Sequence, residues 1–256
     1  MITKVSSWLY LKIGYVALAI LLTGELLGQS DAPEKKRGIT LGIGFQTFLI
    51  NDEIGSNLNY QGNALSIHIQ HDLFKQNQAR AFNFFLATPN IGNDFNRNVL
   101  EGISVALDLH WRYRLNLKLP WGFIWFIGPY FKAQGFGRTY NFETNGVEIS
   151  TGDLFGTIGL SSVMRKELAS DKYLLFSARG PMATYMINRE FIGSTTREWM
   201  FPDRFADYQL RLAMFGKTLK AVEWMIAYQY QVTIIDRASR VGYEGHLFET
   251  GLKFTY

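Results

Sequence analysis

The stretch Gly102–Leu115, GISVALDLHWRYRL, decides the fold. Ile103, Val105, Leu107, Leu109, Trp111, Tyr113 and Leu115 share one side of a two-residue period. Ser104, Ala106, Asp108, His110, Arg112 and Arg114 share the other. Successive strand side chains point to opposite faces, so strict alternation over this length predicts a strand. Strands of soluble proteins average about five or six residues, and this one is more than twice that. A long strand with one apolar face, one charged face and aromatics at its end suits a wall between lipid and a polar interior.

The same pattern recurs along the chain. Ile39, Leu41, Ile43 and Phe45 oppose Thr40, Gly42, Gly44 and Gln46, and the small inward residues leave room in a lumen. Leu65, Ile67 and Ile69 oppose Ser66, His68 and Gln70. Ser177, Arg179 and Tyr185 are read as inward on a later strand, and Asp207, Gln209 and Arg211 on the next. Trp224, Ile226, Tyr228 and Tyr230 oppose Glu223, Gln229 and Gln231, and Phe248, Leu252 and Phe254 oppose Glu249 and Lys253. About ten strands result. Long polar connections (51–63, 89–98, 135–152, 188–204 and 236–243) alternate with short ones (75–78, 118–120, 166–172 and 216–218). An even strand count with alternating long loops and short turns predicts an all-β fold, a single closed antiparallel up-and-down transmembrane barrel over residues 38–256. A turn at Gly216–Thr218 would bring Arg211 opposite Glu223 on the inner face.

The N-terminus reads differently. Lys4 and Lys12 precede an apolar run, Ile13–Leu22, and small polar residues follow to Ser30. This is the order of a secretory signal peptide, assigned to residues 1–28, and its apolar core is short for a membrane span. Residues 29–37 form a short charged tail. The chain has no Cys, which excludes disulfides, thiolate metal sites and a Cys nucleophile. A formal charge of +4 without a basic run argues against nucleic acid as a partner. Aromatics reach 15%, and Trp111, Tyr113, Trp121, Trp125, Tyr173, Trp224 and Tyr256 fall near the short turns, where a membrane-interface girdle belongs.

The final residues, GLKFTY, resemble the C-terminal signal of bacterial outer-membrane barrels: alternating apolar residues ending in an aromatic, Tyr256. The Phe/Tyr/Asn-rich composition resembles barrels of the Bacteroidota type. The resemblance implies insertion by the outer-membrane assembly machinery and an outer-membrane location, with outer-membrane lipid as the surrounding partner. Loop lengths predict long loops outside and both ends in the periplasm. The short turns carry Lys75, Arg80, Lys118, Lys166, Lys172, Lys217 and Lys220, suited to anionic head groups or an acidic envelope partner.

Chemistry is sparser. Asp108-Leu109-His110 sets a carboxylate and an imidazole on one face, the arrangement that prepares a general base. It is similar to the Asp-x-His pair of omptins, ten-stranded surface proteases. Omptins also use a second acidic pair at the outer rim, whereas this chain has no Asp-x-Asp and its pair lies well down a strand. Ser66-Ile67-His68 is in the reverse order of the His-x-Ser found in outer-membrane lipid hydrolases, and inward neighbours on a strand lie about 7 Å apart. Four His with no ligand spacing predict no metal, and no cofactor motif is present. Asp108, His110, Arg112, Arg114, Lys132, Arg179, Arg211, Glu223, Glu249 and Lys253 are instead read as one polar network filling the lumen. The reading is a non-enzymatic barrel, a scaffold or subunit of an envelope complex. The alternatives are a hydrolase using Asp108 and His110, or a narrow small-solute channel.

Overall fold

The computed structural model describes residues 36–52, 59–92, 100–117, 122–142, 147–169, 171–189, 195–236 and 240–256. The strands are β1 (Lys36–Asp52), β2 (Asn59–Phe74), β3 (Gln78–Gly92), β4 (Leu100–Leu115), β5 (Ile124–Phe142) and β6 (Val147–Ala169). They continue with β7 (Lys172–Arg189), β8 (Thr195–Met200), β9 (Phe205–Leu219), β10 (Val222–Asp236) and β11 (Arg240–Thr255). Each pairs antiparallel with its neighbours, and β1 pairs with β11, so the sheet closes on itself. Strands β8 and β9 both pair with β7 and share one place in the wall. Eleven strands therefore make ten wall positions, and closure removes the exposed edges an open sheet would leave. The proposed signal peptide and tail fall almost wholly outside the described residues.

Alternation sorts the faces. Leu41, Ile43, Leu65, Ile67, Leu154, Ile158, Leu212, Ile226 and Phe248 are exposed on the outside. Thr40, Gln46, Ser66, Ser104, Asp108, Thr157 and Glu249 are buried on the inside. So wide an apolar exterior around a polar interior inverts a soluble barrel and fits a wall facing lipid.

Two features differ from the sequence reading. The polar stretches are shorter as loops than expected, because pairing continues into them: β5 and β6 stay in register out to Phe142↔Val147, and β8 lies within 188–204. A spanning strand needs about 9–11 residues, and β6 has 23, so this hairpin extends well past the membrane. The last turn is at Lys220–Ala221, not Gly216–Thr218. Gly216 remains in the ladder because the Trp224 ring occupies the space a side chain there would take, with ring atoms 2.3–2.5 Å from an added Cβ. Arg211 consequently faces Gln229, and Glu223 faces Lys217.

Candidate functional site

The interior is layered. At the short-turn end, Phe126, Tyr173, Leu175, Phe215 and Met225 pack into an apolar floor, with Phe74 against it. Tyr173 stacks on Phe215 at 4.8 Å between centroids. Alternation explains this: Tyr173 shares a face with Ser177 and Arg179. The expectation that Tyr173 belongs to the membrane interface is corrected accordingly. The remaining aromatics of that set behave otherwise. Trp111, Tyr113 and Tyr256 are exposed, Trp125 donates to Ser162 Oγ at 2.6 Å, and Trp224 covers Gly216. Trp121 lies outside the described residues.

Above the floor runs a belt of buried charge whose links cross the lumen. Arg179 on β7 pairs with Asp108 on β4, three wall positions away. Lys132 on β5 donates to Asp207 on β9 at 2.7 Å, again three positions away. Gln231 and Thr233 donate to the other Asp207 oxygen, each at 2.9 Å. Arg211 on β9 reaches Glu249 at 3.0 Å and Gln70 on β2 at 3.3 Å, four positions away. Glu249 also meets His68 at 2.8 Å. Gly42 on β1 makes that approach possible, since a Cβ there would stand 2.2 Å from a Glu249 oxygen. Lys253 donates to the Tyr173 hydroxyl at 2.9 Å, and that hydroxyl donates to Glu223 at 2.8 Å.

Of the ten residues read as a lumen network, nine contribute inside. Arg112 donates to Ser161 at 2.9 Å, and His110 stacks on Tyr130 at 5.6 Å. Arg114 is the exception: it is exposed at the turn-end rim, near the Gln76 carbonyl. Tyr185 turns outward, where its ring contacts exposed Trp199 at 5.0 Å. An extra residue opposite Ile158–Gly159 shifts β7 by one, and a one-residue slip exchanges faces.

Asp207 joins the belt as its grouping with the lumen charges implies, and His68, Gln70 and Asp72 join it from outside that group. Their inward parity was readable, but their cross-lumen partners come from strands distant in sequence. Asp108 and His110 lie on one face, yet Asp108 is engaged by Arg179 and His110 by a ring. Ser66 and His68 do not form a pair either, because His68 turns to Glu249.

Known proteins share this architecture. The chain superposes on the outer membrane protease OmpT of Escherichia coli with a TM-score of 0.54 and 10% identity, covering 90% of this chain and 99% of that one. The fold is that of a bacterial outer-membrane barrel. Two autotransporter barrels also match. One is the transport unit of AIDA-I from Escherichia coli, with TM-score 0.48, 9% identity and coverage of 95% and 98%. The other is the translocator domain of NalP from Neisseria meningitidis, with TM-score 0.49, 9% identity and coverage of 97% and 96%. At such identities the likeness extends to the fold alone. No protein-family model matches the chain, and no curated protein matches it in sequence.

Proposed function

We propose that this chain is a non-conducting barrel of the bacterial outer membrane that serves as an anchored scaffold in the cell envelope. It is inserted by the outer-membrane assembly machinery and available to envelope partners. The observation that carries this reading is the set of links across the lumen, Arg179–Asp108, Lys132–Asp207 and Arg211–Gln70, standing over an apolar floor. A barrel of eight strands is filled by its own side chains, and here the wider bore is bridged by long cationic ones. Planar-bilayer recordings test it. The wild-type chain gives no conductance steps, and the Lys132→Ala, Arg179→Ala double variant acquires them. Stable steps from the wild type would make it a channel.

The orientation we infer has the β5–β6 hairpin and the β7–β8 hairpin outside and the short turns in the periplasm. Unequal connection lengths support it. The turn Phe201–Arg204 at one end and Lys220–Ala221 at the other are both exposed, so trypsin distinguishes the two faces. Intact cells should be cut after Arg204, and only permeabilised cells after Lys220. The reverse order would invert the topology.

A further inference from the structure

Among the described residues the wall lacks rungs at three places: Thr88–Pro89 against Gly102–Ile103 and Trp111–Arg112 against Gly128–Pro129 each lose two with the register kept, and the third gap is wider. The β7–β9 ladder ends at Arg179↔Gln209 and the β7–β8 ladder begins at Thr184↔Met200. Among the described residues, no rung joins Gly180–Ala183 of β7 to the chain between Phe201 and Tyr208. Pro181, which has no N–H to donate, lies in this gap, and the extra residue of β7 lies on its other flank. A membrane-spanning strand uses about 9–11 residues, and counting up from Tyr173 carries β7 to this stretch. Met182 and Tyr208 there are 55% and 51% exposed, so the gap opens at the upper part of the lipid-facing belt. Backbone polar groups facing hydrocarbon must be satisfied within the protein, and irregular backbone at that depth is tolerated where it lines a cavity.

A cavity does lie behind it. A chamber of about 140 Å³ is bordered by Arg179 and Gln209, the last rung below the gap, and by Phe155 and Phe205. It has room for on the order of ten water-sized molecules. Phe155, Phe205 and Ile235 form its apolar side. On its polar side Asp108 Oδ1, Arg179 Nε and Gln209 Oε1 are buried without hydrogen-bond partners, and such atoms are costly to leave unmatched. The charges that bear these atoms or touch them are paired one to one, Arg179 with Asp108 and Lys132 with Asp207, so this cluster carries no net charge of its own, while Arg112, held by Ser161, adds a cation nearer the floor. One group covers the gap. The Tyr208 ring stands over Gly180, 2.8 and 3.0 Å from where a Cβ would be.

We propose that the gap between β7 and β9 is a lateral entrance, closed by Tyr208, through which a small amphiphile passes from the membrane into the chamber. Its polar head is uncharged or zwitterionic and meets Asp108, Arg179 and Gln209. Its apolar part rests on Phe155, Phe205 and Ile235. The volume suits a single short chain and excludes a two-chain lipid.

A diazirine-bearing analogue of 1-hexanol, an uncharged single-chain amphiphile small enough for the chamber, photolysed with the full-length barrel in phosphatidylcholine vesicles, tests this by mapping labelled residues. Labelling is expected at interior Phe155 or Phe205 and should fall several-fold when excess 1-hexanol competes. Labelling of the lipid-facing Leu41 and Ile226 on the continuous wall should be insensitive to competition. Tyr208→Ala raises the interior labelling several-fold, and Tyr208→Phe, which keeps the ring, leaves it at the wild-type level. Heat-modifiable migration on gels checks that each variant is folded. Label confined to outward residues, interior label that does not compete, or equal interior labelling in folded wild type and Tyr208→Ala would each overturn the proposal.

Discussion

The wall around β1 and the wall around β7 are built from the same alternating chemistry and come out differently. Strand β1 pairs with β2 over 16 rungs and with β11 over 15, with no shift in register. Strand β7 pairs with β9 over eight rungs and with β8 over six, and its other flank carries two shifts. The first wall has small residues where interior charge needs space: Gly42 under Glu249, and Gly38 beside Lys253. The second has Gly180-Pro181 mid-strand, where Gly weakens the strand and Pro ends the donation of hydrogen bonds. The contrast shows that barrel closure is a property of each strand pair. It holds where register and interior packing agree and lapses where one extra residue parts them.

The continuous wall is tied to the far side through Glu249, and removing that carboxylate gives the largest expected effect. Glu249→Ala leaves Arg211 and His68 facing each other, both buried and without their shared partner. Breaking a buried pair by removing one member costs about 3–5 kcal/mol. Reversible urea unfolding of the folded barrel in vesicles should show a loss of this size. A loss well under 1 kcal/mol would mean that the unbroken ladder holds this wall without help from the lumen.

Much of this was readable beforehand. Period-two alternation in ISVALDLHWRYRL and in its counterparts assigns the faces of most strands, because parity depends only on local sequence. Registers were less accessible. Sequence alone points to Gly216-Lys217-Thr218 for the turn that lies at Lys220–Ala221, since a glycine that admits a tryptophan ring looks the same in sequence as one that turns the chain. The shift of six residues in pairing is even, so Arg211 and Glu223 kept their inward faces while losing each other. The ionic belt was readable as a set of residues and not as a set of pairs. Arg179–Asp108 joins residues 71 apart in sequence, and no local pattern records such a link. The gap beside β7 was hidden for a related reason: Gly180-Pro181 signals irregularity, but the missing rungs depend on where β8 ends.

A charge scan of the outer face compares the two walls most directly. Ile43 on β1 is 66% exposed in the middle of an apolar belt with Leu41 and Phe45 as its outward neighbours on the strand. Arg placed on the lipid face at the midplane costs about 2–4 kcal/mol, falling to about 0–1 near the interfaces. Ile43→Arg should therefore lower unfolding stability in vesicles by the larger amount. Met182 is 55% exposed, comparable to Ile43, and exposure alone predicts a similar penalty. The gap predicts otherwise. Met182 lies at the upper part of the belt, beside backbone without ladder rungs to β9, and a guanidinium there can reach the head groups above. Met182→Arg should fall in the smaller range. Equal penalties at the two positions would put Met182 in the midplane of a wall as continuous as that around β1, and the lateral entrance would lose its membrane-level basis.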